Sequence, residues 1–335
     1  MEWDLPLLLG FAVAFGVAMY VVADGFDLGI GILFPFAPDE PERGTMINAI
    51  APVWDGNETW LVFGGTLLFA AFPLAYATLL PAFYVPLLAM LFALIFRGIA
   101  FEFRFRATRF RRVWDWAFAG GSTLASFCQG VVLGGFINGI AVANGVFSGG
   151  TFDFVSAFAI VCGFGVVAGY ALLGATWLIL KTDGLTIRFG RQAARIALPA
   201  TLGFIALVSL WTPIQFPHIA ARWFSWPNIA YLSPVPILTA LIAFGIWRHI
   251  EDGPEHRPFV LSVALFLLAF LGLGISMWPY AVPYTATLWQ AASSPPTLVF
   301  VGIGTALILP IVLAYGAFAY WVFRGKIGAD GGYGH

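Results

Sequence analysis

Charged side chains are scarce in this sequence of 335 residues. Aspartate, glutamate, lysine and arginine together make up 10% of it, whereas apolar residues make up 60% and aromatic residues 17%. A soluble domain usually carries about 25% charged residues, because water must wet most of its surface. So little polar material excludes a soluble globular domain of this length. The net charge of −1 shows no excess of basic residues, and we expect no nucleic-acid partner.

Cysteine is also rare, and a cleavable signal sequence is not evident. The two cysteines, Cys128 and Cys162, lie inside apolar runs without the spacing of a metal or redox motif, so we interpret them as small hydrophobic residues. The first residues, MEWDLP, carry acids where a secretory signal needs lysine or arginine. We therefore expect the first apolar run to be kept as a membrane helix.

Long apolar runs make up most of the chain. About 20 apolar residues are needed to cross roughly 30 Å of hydrocarbon. Nine runs fit, and they predict an all-α, polytopic membrane protein that forms a single transmembrane domain over residues 1–335. The connection 214–230 contains proline and tryptophan and is typical of an interfacial loop. The predicted spans are 5–36, 49–72, 74–100, 113–146, 152–180, 196–213, 231–248, 258–279 and 297–323.

Lysine and arginine cluster in alternate connections, after spans three, five, seven and nine. Basic loops remain in the cytoplasm, so these clusters mark the cytoplasmic side of the bundle. Of the 16 lysines and arginines, only Arg222 falls on the opposite side. The pattern predicts an outer N-terminus, a cytoplasmic C-terminus and an odd number of spans.

Histidine is missing from all nine predicted spans. A haem normally needs a positioned histidine, cysteine or methionine, and a lone intramembrane methionine rarely holds one. We therefore expect no haem, no other cofactor and no metal ion on this chain. The four histidines lie in connections or at the terminus: His218, His249, His256 and His335.

Four carboxylates lie in the first two spans. Asp24 and Asp27 are three residues apart in YVVADGFDLGI, and Asp55 and Glu58 are three apart in WDGNETW, so each pair shares a helical face. Asp24 lies about 28 Å along the first helix, near the cytoplasmic edge of the hydrocarbon. Asp55 and Glu58 lie roughly 9 and 13 Å inward from the start of the second span. We therefore expect Asp55 to be desolvated, with Asp24 between it and the cytoplasm.

Charges at membrane depth cost about 2.5–3.5 kcal/mol each on insertion scales, so these acids need compensation or a use. One interpretation is a structural network in which Arg97, at the inner end of span three, pairs with Asp24 or Asp55. The other is a proton-conducting half-channel from the cytoplasm, since buried carboxyls can hold and pass protons. We favour the half-channel, with Asp24, Asp27, Asp55 and Glu58 as proton-path candidates and Arg97 as the structural ion-pair candidate.

Several segments are similar to a known family. They are ADGFDLGIGIL at 23–33, MINAIAPVWDGNETWL at 46–61, LFAAFPLAYA at 68–77, FRGIAFEFR at 96–104, WDWAFAGGS at 114–122 and ILPIVLAYGAFAYW at 308–321. On these segments the chain resembles subunit II of the cytochrome bd-type quinol oxidases, including their cyanide-insensitive branch. The resemblance covers nearly the whole chain and is most specific in the first hundred residues.

The resemblance implies a haem-free subunit in the bacterial cytoplasmic (inner) membrane. In that family subunit I carries two b-type haems and a d-type haem, or a b haem in its place, and oxidises quinol on the outer side. Subunit II packs against it and is implicated in delivering cytoplasmic protons for the reduction of O₂ to water. Small accessory subunits and a bound lipid or quinone are further partners that the resemblance allows.

The resemblance also assigns individual residues. Asp24 and Asp27 match the family's DGFD acids, and Asp55 matches the acid of its WDGN motif, which is assigned to the proton path. Arg97 matches the arginine that ends span three, while Glu58 occupies a position that the family also fills with glutamine. The chain is shorter than many relatives around 181–230, so family contacts there are not carried over.

Two other functions remain open from the residues alone. Intramembrane acids also serve proton-coupled secondary transporters, but those often show inverted repeats and sites near the midplane. This chain has no convincing repeat, and its acids lie toward one side. The other function is a purely structural assembly subunit with inert acids. It differs from the favoured half-channel only in the effect of replacing these acids.

Overall fold

The apolar runs form helices, because a spanning segment must satisfy its backbone hydrogen bonds internally. The computed structural model describes residues 4–107 and 109–327. Its α-helices are α1 Leu5–Leu33, α2 Glu40–Asn48, α3 Trp54–Ala71, α4 Pro73–Ala82, α5 Tyr84–Arg106, α6 Arg111–Asn138, α7 Ala157–Lys181, α8 Gly184–Gln215, α9 Pro217–Phe224, α10 Asn228–Leu232, α11 Pro234–His249, α12 His256–Met277, α13 Leu288–Ala291 and α14 Pro295–Val322. A 3₁₀ turn, Phe34–Phe36, extends α1.

Eight helical segments are long and apolar enough to cross a membrane: α1 with its 3₁₀ turn, α5, α6, α7, α8, α10 with α11, α12 and α14. Helix α3 crosses the bundle as well, although its first turn is polar. The Asn57 side chain, near its start, donates to the Ala23 carbonyl of α1 at 3.2 Å. Near its other end, Leu67 and Ala71 pack with Leu9, at the start of α1. Helix α3 therefore runs antiparallel to α1 and completes nine crossing helices in the described residues. The prediction of an all-α polytopic membrane protein is confirmed.

The fourth predicted span, 113–146, is too long. Helix α6 ends at Asn138, and Gly139 follows with φ +84°, which only glycine adopts without strain. The chain then forms a small hairpin in which β1 Val142–Ala143 pairs with β2 Val146–Phe147. Asn144 and Gly145 both have positive φ, as a two-residue Asn-Gly hairpin turn requires. A second hairpin pairs β3 Tyr280–Val282 with β4 Ala286–Thr287.

Three connections are more helical than predicted. Helix α8 begins at Gly184 rather than near 196, because its arginine-rich first turns continue the helix outside the apolar run. The predicted loop 214–230 contains α9 and the first residues of α10. The short polar helix α2 was not predicted, and Asp39 caps it by accepting from the Glu42 backbone N–H at 3.2 Å.

Close contacts between helix backbones organise the centre of the bundle. A methyl group added to Gly29 of α1 would lie 1.9 Å from the Tyr170 carbonyl oxygen of α7, and one added to Gly174 would lie 2.4 Å from the Gly29 carbonyl carbon. Gly130 of α6 meets the Cys162 carbonyl oxygen of α7 in the same way, at 2.3 Å. Glycine at these positions lets α7 pack directly against α1 and α6, as small residues do in membrane bundles.

The basic residues gather at one end of the bundle, which we call the cytoplasmic end. Ion pairs there join the connections between helices, such as Arg195 with Glu251 at 3.0 Å and Lys326 with Asp183 at 2.7 Å. Arg222 lies at the opposite end, where its guanidinium donates to the Ile275 carbonyl at 2.9 Å, near the C-terminus of α12. The positions agree with the sidedness predicted from the sequence.

Candidate functional site

A polar cluster surrounds the cytoplasmic half of α1. Every residue of this helix from Ala23 to Gly31 is buried, and the side chains of Asp24 and Asp27 are 0% exposed. Helices α3, α6 and α7 pack around this part of α1 and shield both carboxyl groups from lipid and water. The sequence therefore places two acids inside the protein, where an uncompensated charge is costly.

Arg97 of α5 compensates Asp24. Its Nη1 donates to Asp24 Oδ1 at 2.8 Å, and the arginine is itself only 1% exposed. Glu58 of α3 adds a weaker contact, with Oε2 at 3.9 Å from the same nitrogen. The Glu58 side chain is 28% exposed, so it lies at the edge of the cluster. Of the two partners expected for Arg97, the structure shows Asp24.

Asp27 is held by neutral groups instead. The Asn57 side-chain amide donates to Asp27 Oδ2 at 2.7 Å, and the Tyr320 hydroxyl donates to Asn57 Oδ1 at 2.7 Å. A chain of polar groups thus joins α1, α3 and α14. Arg97 bonds Asp24, and Asp27 accepts a hydrogen bond from Asn57. The cluster therefore has one arginine for two fully buried carboxyl groups.

Asp55 lies apart from this cluster. It is in the first turn of α3 and is exposed on the surface of the chain, where a carboxylate interacts favourably with the helix dipole. The sequence led us to expect a desolvated Asp55, whereas in the chain by itself Asp55 is exposed and Asp24 is 0% exposed. Asp24 and Asp27 are the buried acids, Glu58 is intermediate, and Asp55 is at the surface.

Several atoms of the cluster keep free bonding capacity. Among the described residues, Asp24 Oδ2, Asp27 Oδ1 and the Nε and Nη2 atoms of Arg97 have no hydrogen-bond partner. Each buried carboxyl group therefore has one engaged oxygen and one free oxygen. Such an oxygen can accept a proton without breaking an existing contact.

A second set of neutral polar groups borders the cluster. The Tyr170 hydroxyl donates to Gln129 Oε1 at 2.6 Å, and Gln129 Nε2 donates to the Tyr20 hydroxyl at 2.9 Å. Tyr20 lies one turn before Asp24 on α1. Analysis of the sequence missed these residues, because an isolated tyrosine or glutamine in an apolar run carries no charge to mark it.

A buried arginine closer to the cytoplasmic end was also missed. Arg104 is 1% exposed and donates to Asp115 Oδ1 at 2.5 Å and to Glu40 Oε1 at 2.6 Å. Its guanidinium lies 5.1 Å from the ring centroid of Phe34. These contacts tie α2 to α5 and α6, so Arg104 is structural. Sequence position alone does not distinguish Arg104 from the exposed arginines Arg106 and Arg109 that follow it.

The histidines of the described residues lie on α9 or at helix ends, and none belongs to the polar cluster. In residues 4–107 and 109–327, no group of three metal-ligating side chains comes together. His218 lies on α9 against the Tyr284 ring, where partial burial and then the nearby Arg222 lower its pKa. His249 bonds Arg257 at 2.8 Å at the cytoplasmic end. His335 lies outside the described residues.

Known proteins share this sequence and this fold. The chain matches the family described as cytochrome bd terminal oxidase subunit II over residues 5–323. Cytochrome bd-I ubiquinol oxidase subunit 2 of Escherichia coli is 31% identical, over 96% of this chain and 92% of that protein. Cytochrome bd ubiquinol oxidase subunit 2 of Bacillus subtilis is 30% identical, over 91% of each chain. A chain of the bd oxidase structure from Geobacillus thermodenitrificans has the same fold, with a TM-score of 0.77 and 16% identity over 96% of this chain and 99% of that one.

The eight long apolar helical segments, together with α3 and the bacterial relatives, identify a multi-pass subunit of the bacterial cytoplasmic membrane. The chain belongs to the family of cytochrome bd terminal oxidase subunit II. The resemblance drawn from the sequence is confirmed, and with it the function as a subunit of a terminal quinol oxidase. Family membership sets the secondary transporter aside.

Proposed function

We propose that this chain is the haem-free subunit of its oxidase and packs against a subunit I that holds the b-type and d-type haems. The support is the family match, together with the lack of histidine in the nine predicted spans. Quinol would be oxidised and O₂ reduced in the partner subunit. This chain would then contribute protons rather than electrons.

We further propose that the buried acids take up cytoplasmic protons for O₂ reduction. The observation that carries this proposal is that the cluster contains two fully buried carboxyl groups but, among the described residues, one buried arginine, which pairs with Asp24. When both acids are ionised, the core of the cluster carries an excess negative charge at membrane depth, which is unfavourable. One proton makes Asp24, Asp27 and Arg97 neutral as a group. The cluster is therefore suited to hold one proton and release it.

The four acids have different parts in this proposal. Asp55, at the surface and near the cytoplasmic end, attracts protons from water, and Glu58 lies between the surface and the cluster. Asp24 pairs with Arg97 at 2.8 Å. Asp27, which receives only the Asn57 amide, is the group that binds and releases the proton.

Replacing Asp27 with asparagine tests this assignment. Asparagine keeps the shape of the side chain but cannot release a proton. We expect the complex to assemble with normal haem spectra while quinol-dependent O₂ consumption slows by about 10²-fold, a typical contribution of a positioned proton-transfer group. Asp55→Asn should slow turnover less, because water replaces an acid at the surface. Turnover of Asp27→Asn at the parental rate would show that this acid does not conduct protons.

A purely structural role is the second candidate, and the buried Arg97–Asp24 pair favours it. In that case both Asp24→Asn and Asp27→Asn would reduce assembly, and complex that does assemble would turn over normally. The amount of haem recovered per purified chain separates this outcome from a defect in proton transfer.

A further inference from the structure

The connection between α5 and α6, at the cytoplasmic end of the bundle, carries more positive charge than the chain itself neutralises. Residues 102–115 contain five arginines and two acids. Two of the arginines are paired. Arg104 donates to Asp115 and Glu40, and Arg111 lies 3.2 Å from Glu40. These pairs belong to the side of the connection that contacts α2.

The other three arginines, Arg106, Arg109 and Arg112, are exposed and form no ion pair within residues 4–107 and 109–327. Arg106 is the last residue of α5, and Arg112 is the second of α6. These two helices pack against each other, so the three arginines lie at one corner of the bundle. Glu102, one turn before Arg106, is exposed as well and does not pair with them in the described part of the chain.

The other basic connections at this end differ from this corner. Arg191, Arg195 and Lys326 each pair with an acid. Arg188 and Arg248 form no ion pair with a described residue, but each is the one such arginine of its helix. Three unpaired arginines so close in the chain therefore need an explanation beyond the general excess of basic residues on the cytoplasmic side.

The position of Arg112 is unfavourable without an anion. It lies in the first turn of α6, where the helix dipole favours negative charge, and the helix begins after Phe110, which provides no side-chain cap. Arg111, beside it, is compensated by Glu40. An anion bound at this corner would compensate Arg112 in the same way.

Aromatic side chains alternate with these arginines. Phe105, Phe110 and Trp116 are all exposed. Aromatic rings at the ends of membrane helices lie at the level of the lipid headgroups. Arginine suits phosphate, because its planar guanidinium can donate two parallel hydrogen bonds to a pair of oxygens. An acidic protein surface would pair with the arginines but would leave the rings beside them without an apolar environment, whereas a phospholipid provides for both.

We propose that this corner binds the headgroup of an anionic phospholipid, such as phosphatidylglycerol, from the cytoplasmic leaflet. Arg106, Arg109 and Arg112 contact the phosphate, and Phe105 and Phe110 lie against the upper part of the acyl chains. The lipid supplies the negative charge that the chain does not, and it holds the ends of α5 and α6 at the membrane surface. The inference does not depend on how the buried acids of the cluster act.

Photo-crosslinking in the complete oxidase tests the proposal. The purified complex is placed in phosphatidylcholine nanodiscs that contain a small fraction of photoreactive phosphatidylglycerol, or of photoreactive phosphatidylcholine with the same acyl chains as the control lipid. Mass spectrometry then identifies the cross-linked peptides. We expect phosphatidylglycerol to label residues 103–116 at least about tenfold more than phosphatidylcholine, since each arginine near an anionic lipid contributes roughly fivefold in affinity. The preference should fall as salt is added, because salt screens exposed charges.

The variant Arg106→Gln/Arg109→Gln/Arg112→Gln should lose this preference. Haem absorption of the purified complex shows whether the variant has assembled. The comparison of the two lipids needs the parental complex alone, so it decides the proposal even if the variant fails to assemble.

The matched control, Arg188→Gln/Arg248→Gln/Arg324→Gln, removes the same amount of charge from the same end. These three arginines are exposed and form no ion pair with a described residue. The control should keep the parental preference, and an equal loss in both variants would overturn the proposal in favour of a general effect of charge.

Three other results would also overturn the proposal. Equal labelling of residues 103–116 by the two lipids would show that the corner does not select an anionic headgroup. No labelling by either lipid would show that the partner subunit covers it. Loss of the preference in millimolar sodium phosphate would show a site for a soluble anion rather than for a lipid.

Discussion

The Arg97–Asp24 pair makes a quantitative prediction about stability. Asp24→Asn leaves Arg97 buried at 1% exposure with Glu58, 3.9 Å away, as its remaining acidic contact. Removing one partner of a buried pair typically costs about 3–5 kcal/mol, because the other charge stays in a low dielectric. Glu58 can move toward the guanidinium, so we expect a loss near the lower end, about 3 kcal/mol.

The double variant Asp24→Asn/Arg97→Gln removes the stranded charge. We expect its loss of stability to be smaller than the sum of the two single losses by at least about 2 kcal/mol, since contacting residues couple by 0.5–3 kcal/mol. The assay is equilibrium unfolding of the purified complex in a denaturing detergent, followed by fluorescence and checked by haem absorption. Asp183→Asn/Lys326→Gln is the matched control, because an exposed pair contributes under about 1 kcal/mol. Additivity at Arg97 and Asp24 to within about 0.5 kcal/mol would refute the argument.

Two further predictions concern the placement of the chain and its cofactors. A reporter fused after Arg324 should report the cytoplasm, and a tag at the N-terminus should be accessible from outside. The reason is that all basic residues except Arg222 lie at one end of the bundle. Finding both termini on the same side of the membrane would contradict nine crossing helices. Expressed alone, the chain should show no stoichiometric haem by absorption spectroscopy. The co-purified complex should show b-type haem bands, and also d-type bands where the partner subunit holds a d-type haem. One haem per isolated chain would overturn the proposed division between subunits.

The sequence predicted the helices and the acids better than their surroundings. Apolar run length located all nine crossing helices, because a spanning segment must be long and apolar. It misjudged helix ends such as Asn138 and Gly184, where turn chemistry or charged first turns decide the boundary. The hairpin at Asn144 and Gly145 was detectable, since an Asn-Gly pair is a strong local turn signal.

The error at Asp55 has a simple geometric cause. Depth was judged from distance along the helix, but exposure depends also on rotation about its axis, at about 100° per residue. Asn57 faces the cluster, so Asp55, two residues earlier, points to nearly the opposite side. Glu58, one residue later, lies between these directions, as its partial exposure shows. Only the position of a neighbouring helix fixes the rotation, and one sequence does not contain it.

The polar contacts of Asp27 come from distant parts of the chain. Asp27 lies on α1, Asn57 lies on α3, and Tyr320 lies on α14, 263 residues after Asn57. During synthesis Asn57 is therefore available soon after Asp27, whereas the tyrosine follows much later. The polar surroundings of this buried acid are complete only once α14 has been inserted and packed, and a ribosome that stops before α14 leaves the acid in an incomplete environment.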